Sequence, residues 1–516
     1  MTLVAAPLVS VIGGAICLMM GRRSRWIAAF TWAISTGLVA YWIGVVARLG
    51  PVHETLGGWD SVGISLVMDR PAVAFLLIEQ LLTGAVLAYS WRSELRSAFY
   101  ALFLVLAGAV TALCMSVDMF NIYVLLELLT LTSFLLVAYE RRPVQIWASL
   151  KYLLLASLGM SIYLFGVALV YAHTGSLGLQ QVGDHLASLT AVEAGWIPVA
   201  ASLITAGIAV KAGVFLYSLW LPAAHGSASA GVSALLSGLV IKMGVLALLR
   251  FSFILPIQHA LTVLGVMTGL MGALYAIVET DAKKMLAFST LSQVGYLLIG
   301  IGAGSEASRV GVLMYVVAHG MFKGLLFLAV GDAGQRLGST ELSVLRARRH
   351  EIPAATRAAL LVGCAAIAGF PFVGGFWAKE WLLQGSPPLQ QALLWLLMFC
   401  TTVVFSKLLP AGLARGRGGG VRHGGIPYVM LGAGMPLVFM LSRILAPGQA
   451  TGTADATLVQ AGWSLGVVAV GTFVGVKFRV LQRMRVPRSV FRIEESVLVM
   501  LFGVFVVLAV VLVTSP

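Results

Sequence analysis

Charge is what this sequence has least of. Of its 516 residues only 10% are Asp, Glu, Lys or Arg, while 59% are hydrophobic; a soluble globular chain carries about 25% charged residues. No hydrophilic stretch is long enough to form a separate soluble domain, and the period-two alternation of a lipid-facing barrel is missing. Backbone polar groups in lipid must be paired internally, so helices are what remain. Cysteine is scarce too. Cys17, Cys114, Cys364 and Cys400 lie scattered in apolar segments, with neither metal-ligand spacing nor a disulfide pattern, and read as small packing residues. The HExxH, GxSxG, haem-attachment and iron–sulfur spacings are absent, which leaves nothing to carry electrons or catalyse bond chemistry, and no cofactor or metal is expected. Gly416 with Gly418, Gly419 and Gly420 lacks the lysine–serine/threonine ending of a phosphate-binding loop and reads as a flexible basic loop.

What the chain does have is apolar runs of about 20 residues from end to end, each long enough to cross roughly 30 Å of hydrocarbon as a helix. About sixteen such segments are expected, near 3–20, 26–48, 71–90, 98–116, 119–138, 149–173, 196–220, 229–250, 256–278, 285–303, 309–330, 355–377, 389–410, 426–446, 460–478 and 494–513. The fold class is therefore an all-α polytopic membrane protein of about 14–16 transmembrane helices, a single membrane domain over 1–516.

The net charge of +14 follows topology. Alternate loops are basic: Arg22, Arg23 and Arg25; Arg92 and Arg96; Arg141, Arg142 and Lys151; Lys283 and Lys284. Arg346, Arg348, Arg349 and Arg357 continue the series, then Arg415, Arg417 and Arg422, then the stretch from Lys477 to Arg492. Most intervening loops are neutral or acidic, with Glu54 and Asp60, Asp184 and Glu193, and Asp455. This is the positive-inside pattern: basic loops cytoplasmic, both termini outside, an uncleaved first helix, in a cell (inner) membrane. The lipid bilayer accounts for the basic excess, and nucleic acid is not an expected partner.

Against this background a few ionisable residues stand where hydrocarbon should be. A charge at mid-helix costs roughly 2.5–3.5 kcal/mol on insertion scales, and such residues mark ion and proton paths. Glu127 lies about nine residues inside a helix beginning near Asp118; it reads as a proton carrier or as one half of a structural ion pair. Lys211 and Lys242 sit on consecutive helices 31 residues apart, and a desolvated lysine can store and release a proton. Pro222 and the small-residue run after it should interrupt regular helix, as at ion sites in transporters, although small residues also serve close helix packing. His225 in that break reads as a relay or as a satisfied polar group. Tyr315, His319 and Lys323, at i, i+4 and i+8, place phenol, imidazole and amine on one helix face. Lys379 and Glu380 follow a second glycine- and proline-broken segment, and two interrupted segments in corresponding halves point to an internal repeat.

Six strings carry a family resemblance. They are DMFNIYVLLE at 118–127, KAGVFLYSLWLPAAH at 211–225, VSALLSGLVIKMGV at 232–245, ETDAKKMLAFSTLSQVGY at 279–296, HGMFKGLLFL at 319–328 and GFPFVGGFWAKE at 369–380. Together they resemble a family of proton-translocating membrane proteins. It comprises the antiporter-like subunits of respiratory complex I, the D subunit of Mrp-type cation/proton antiporters and the large membrane subunits of energy-converting hydrogenases. The resemblance implies two inverted five-helix repeats, each with an interrupted helix, over 98–250 and 256–410, flanked by N-terminal helices over 1–97 and C-terminal helices over 411–516. It also implies that Glu127 modulates Lys211, that Lys242 is the central lysine, that His319 and Lys323 relay onward, and that Lys379 stands on the exit side with Glu380 adjacent. The expected function is translocation of protons, or exchange of Na⁺ and H⁺, within a complex of several membrane subunits. Two alternatives are a subunit of a bicarbonate-linked inorganic-carbon uptake complex and a structural scaffold of a respiratory or hydrogenase complex. Any redox enzyme activity would belong to a partner module such as an NADH:quinone oxidoreductase or hydrogenase. The chain departs from the family at Leu216, Ser227, Ser229 and Phe372, where proline is common, so its breaks are expected to be shaped differently.

Overall fold

The computed structural model describes residues 2–57, 63–190, 192–414, 425–445, 454–477 and 493–514. Asp60, Arg415, Arg417, Arg422, the glycine cluster and most of the basic stretch ending at Arg492 lie outside them. The chain runs through α1 (Ala5–Met19) and α2 (Ser24–Leu49) into an antiparallel hairpin, β1 (Val52–Leu56) with β2 (Ile64–Met68). Then come α3 (Arg70–Ser90), α4 (Ser97–Met115), α5 (Met119–Val137), α6 (Pro143–Thr174), the short α7 (Leu179–Ser188) and α8 (Ile197–Ala212). Two short pieces, α9 (Leu221–Ser227) and α10 (Ala230–Leu235), lead through a π-turn at Leu236–Val240 into α11 (Ile241–Phe251). The second half repeats the order with α12 (Gln258–Val278), α13 (Ala282–Ala303), α14 (Glu306–Leu337), the short α15 (Leu342–Ala347), α16 (Ala354–Ala368), α17 (Gly374–Gln384) and α18 (Pro388–Phe405). A turn, α19 (Leu409–Gly412), precedes α20 (Ile426–Ala433), α21 (Leu437–Leu445), α22 (Ala454–Lys477) and α23 (Ile493–Thr514).

Among the described residues thirteen helices are long and apolar enough to span a bilayer, and α1 and α16 are shorter apolar helices. The segment expected over 426–446 is instead two short helices, α20 and α21. The β-hairpin was not legible as a strand pair within so apolar a chain. Burial sorts the helices: the apolar windows of the α10–α11 segment and of α14 are wholly buried, while α2, α22 and α23 face outward. The helices that carry Lys242, His319 and Lys323 therefore stand at the centre, away from lipid.

Matching landmarks relate the two halves. Asp118 caps α5, accepting from Asn121 N at 2.7 Å, and Asp281 caps α13, accepting from Lys284 N at 2.9 Å. Met119 N bonds Leu177 O and Leu179 N bonds Val117 O; Ala282 N bonds Thr340 O and Leu342 N bonds Thr280 O in the same way. α8 ends at Gly213 (φ +69°) and α16 at Gly369 (φ +80°), and three residues beyond each glycine stands a non-glycine residue at positive φ, Leu216 (74°) and Phe372 (63°). These landmarks fall in the same order in the two halves, as the expectation of an internal repeat requires.

The small-residue run interrupts the helix as expected, at Ala228 and Ser229 between α9 and α10, but the first break and the role of Pro222 differ from the expectation. Interruption after Lys211 begins at Gly213, and Pro222 does not break a helix but opens α9 in its first turn, where its missing N–H costs nothing. Proline cannot adopt positive φ, so Leu216 and Phe372 mark backbone that the family's usual proline could not follow. Two residues expected in basic loops, Lys151 and Lys283, are buried inside α6 and in the first turn of α13. Gly213→Ala and Gly369→Ala should each lower the melting temperature in detergent, since positive φ costs a side chain about 1–2 kcal/mol. Gly37→Ala, mid-α2 with nothing within 4 Å of the added carbon, should raise it, worth about 0.5–1 kcal/mol.

Candidate functional site

The site is built from ammonium groups on helix interiors. Lys211, in the last turn of α8, reaches back to α5: its Nζ lies 3.1 Å from Glu127 Oε1, 3.5 Å from Leu126 O, and also bonds Thr130 Oγ1. Glu127 is 23% exposed, against 4% for Lys211. It shares its face of α5 with Phe120, Val124 and Leu131, all exposed, so the carboxylate lies on an outward apolar stripe.

Lys242 is reached by packing. Gly244 of α11 has no side chain because a Cβ there would stand 2.7 Å from Ala212 Cα and 2.8 Å from the Lys211 carbonyl carbon. Lys242 Nζ donates 2.7 Å to Ser237 O, a carbonyl of the π-turn; π-turns occur disproportionately at functional sites. From there buried polar groups line the way to Lys323. Ser237 Oγ and Thr290 Oγ1 are 2.8 Å apart, Thr290 donates to Leu286 O at 2.9 Å, and Lys323 Nζ donates to the same carbonyl at 2.8 Å and to Ser289 Oγ.

His319 is fully buried on α14, within electrostatic reach of Lys242, Lys323 and Lys379, and neither ring nitrogen has a protein hydrogen-bond partner. A buried imidazole that the protein leaves unpaired takes water or a migrating proton. One turn away, Tyr315 donates to Gln293 Oε1, and Gln293 donates to Thr401 at 3.1 Å. Lys379 Nζ donates 2.8 Å to Ile367 O at the broken end of α16 and lies over the Tyr296 and Tyr315 rings, 4.9 and 5.9 Å from their centres. Glu380, also buried, accepts from Gln384 at 3.3 Å and shares a small cavity with Lys379, Gln460 and Ser464, the last two from α22. Thus Lys242, His319, Lys323 and Lys379 converge, with Tyr315 linking the last two turns. His225 is also buried and within electrostatic reach of Lys323, Lys283 and Lys242: Nδ1 contacts Leu221 O at 2.9 Å, Nε2 has no protein hydrogen-bond partner, and the ring lies 6.0 Å from Phe327 on α14.

Several buried polar groups escaped the sequence reading. Lys283 donates to Ala228 O at the break between α9 and α10. Lys407 donates to Ala276 O, Ile277 O and Glu279 O, at 2.9, 2.9 and 2.6 Å, closing the C-terminus of α12. Arg250 forms a two-pronged pair with Asp69, at 3.0 and 3.2 Å, and donates to Cys114 O at 2.8 Å. Glu79, 1% exposed in mid-α3, carries the same signal that singled out Glu127: an acid nine residues into an apolar helix.

The pairing of Glu127 with Lys211 has a stability consequence. Lys211→Met should destabilise by about 1–3 kcal/mol, because it strands the carboxylate. Adding Glu127→Gln should recover most of that in the thermal melt of the double variant.

Comparison with known proteins matches this arrangement. Residues 116–406, more than half the chain, match the NADH:quinone oxidoreductase/Mrp antiporter transmembrane family. NADH-quinone oxidoreductase subunit N of Desulforudis audaxviator is 30% identical over 75% of this chain and 78% of its own. The D subunit of the Na(+)/H(+) antiporter of Alkalihalophilus pseudofirmus is 26% identical over 66% and 71%. Among solved structures, a chain of the Mrp complex from Dietzia sp. superposes with a TM-score of 0.80 at 24% identity, covering 98% of this chain and 59% of that one. A chain of respiratory complex I from Thermus thermophilus gives 0.75 at 21%, covering 90% and 100%. The buried lysines, the paired helix breaks and these matches lead to one conclusion: the chain belongs to the NADH:quinone oxidoreductase/Mrp antiporter transmembrane family.

Proposed function

We propose that this chain, an ion-translocating membrane subunit of a multisubunit complex, moves protons along a lateral axis. The axis runs from Glu127 and Lys211 through Lys242, His319 and Lys323 to Lys379 and Glu380. The observation that carries this reading is the set of buried polar groups between Lys242 and Lys323, namely Ser237, Thr290 and Ser289, beside a histidine whose ring nitrogens have no protein hydrogen-bond partner. The carbonyls of Ser237 and Leu286 only accept, so water must carry the proton past them. Protons suit the axis better than Na⁺ because its ligands are mainly ammonium and imidazole groups, which repel a metal cation and exchange protons readily.

Electrostatics supplies the drive. Unit charges 4 Å apart interact by about 4 kcal/mol at an effective dielectric of 20. Lys242, Lys323 and Lys379 all act on His319 electrostatically, so adding a proton at one end of the axis favours release at the other. Glu127 sets that load. Drawn close, it holds Lys211 charged; drawn outward on the exposed stripe of α5, it frees the proton toward Lys242. The same stripe is where a neighbouring membrane subunit would bear on Glu127. Basic loops on the cytoplasmic side orient the axis in the bilayer.

In proteoliposomes holding the assembled complex, Lys242→Ala and Glu127→Gln should each cut proton flux by about a hundredfold, the scale of losing a proton-transfer group, with assembly intact. Flux unchanged in both would refute the assignment. Loss of assembly in both would support a scaffold, and flux that follows added bicarbonate would support carbon uptake. Replacing Na⁺ by choline should leave wild-type flux unchanged if protons alone are carried.

A further inference from the structure

Glu79 takes no part in the axis, yet the structure buries it in mid-α3 among uncharged polar groups. Gln80 Nε2 donates to its Oε2. Thr83 and Thr111 are the other groups within hydrogen-bonding reach of the carboxyl. Each hydroxyl also lies within reach of a backbone carbonyl, Thr83 of Glu79 O at 2.6 Å and Thr111 of Ala107 O at 2.9 Å, so neither is committed to the carboxyl alone. The carboxyl is 1% exposed, and among the described residues no cation bonds it; a carboxylate there would carry an uncompensated desolvation cost that the neutral acid avoids.

Among the described residues the surroundings offer no counter-ion. Cys114 stands a turn beyond Thr111 on α4, and the charged residues beyond it, Arg250 and Asp69, are paired with each other. α2 contributes Thr36 and Ser35, which bond the Gln80 amide at 2.7 and 3.4 Å, and the Trp32 indole, which donates to Gln80 O at 3.1 Å. α20 brings Met430 against Gly84. On α14, His319 and Lys323 stand next to the glycines that receive α3, and Lys323 is committed to Leu286 O and Ser289.

The residues flanking Glu79 tie it to the axis. Ile78 fills the notch left by Gly320, where a Cβ would stand 2.6 Å from its Cδ1, and Gly320 follows His319. Leu82 fills the notch at Gly324, 2.6 Å from where a Cβ would be, and also packs on Gly238 inside the π-turn that holds Lys242. Close-packed interiors transmit such shifts rather than absorb them.

We propose that Glu79 is held as the neutral acid and is a proton-binding positioning residue, whose gain or loss of a proton, exchanged with water, sets how α3 seats Ile78 and Leu82 against the helices carrying His319 and Lys242. This rests on the proton-translocation reading above. The proton itself is tested apart from transport, by infrared spectroscopy of the purified complex near neutral pH. The wild type should show the C=O band of a protonated carboxylic acid, lost in Glu79→Gln and shifted in Glu79→Asp. In proteoliposomes Glu79→Gln should alter the pH profile of proton flux, and Glu79→Asp should restore it. A band that persists in Glu79→Gln, or a wild-type pH profile in that variant, would overturn the proposal. If Glu79→Gln does not assemble, an unshifted band in Glu79→Asp would do the same. Band loss in Glu79→Gln, with flux unaffected in Lys242→Ala, would contradict the translocation reading alone.

Discussion

An ammonium group inside a membrane protein has to find oxygen, and in this chain it finds backbone carbonyls that regular helix would have used. Lys242 takes Ser237 O at the π-turn, Lys283 takes Ala228 O at the α9–α10 break, and Lys379 takes Ile367 O where α16 ends. Lys407 takes three carbonyls at the end of α12. Helix C-termini and interruptions leave these acceptors unpaired and partly negative, so these four lysines and the breaks they meet serve each other, whereas Lys323 bonds Leu286 O inside α13. A full carboxylate partner is kept for Lys211. Carbonyls hold a cation without neutralising it, which keeps a lysine available for proton exchange; a salt bridge would bind it more firmly.

That constraint explains why the two halves agree at these backbone landmarks and differ in chemistry. The caps, the paired strand-like contacts and the glycine ends match position for position. Lys211 stands two residues before Gly213; the residue two before Gly369 is Ile367, which supplies the carbonyl for Lys379. The first break thus offers a lysine to a carboxylate, and the second offers a carbonyl to a lysine. Between them the wholly buried α11 and α14 bring Lys242 and His319 together. The same backbone plan, used twice with different side chains, gives the axis two unlike ends.

The helical class, the depth of Glu127 in α5 and the face shared by Tyr315, His319 and Lys323 were legible in the sequence, because hydropathy and 3.6-residue periodicity fix them locally. The partner of Lys211 was legible through family resemblance. What escaped depends on tertiary contact. Lys283 follows Asp281 at a helix start, a context that reads as a loop, and Ala228 O, 55 residues away in sequence, is what buries it. Pattern alone points to Pro222 for the interruption after Lys211, although proline in a first helical turn begins a helix and Gly213 is what ends one. Glu79 carries a signal of the same kind as Glu127, but no second motif draws attention to α3.

The most direct test is a structure of the assembled complex, in a lipid environment, at a resolution that places water. The account predicts ordered waters that bridge Lys211 to Lys242, bond the ring nitrogens of His319 and continue past Tyr315 to Lys379. A dry, apolar gap between Lys211 and Lys242 or around His319, in a complex competent for transport, would contradict it.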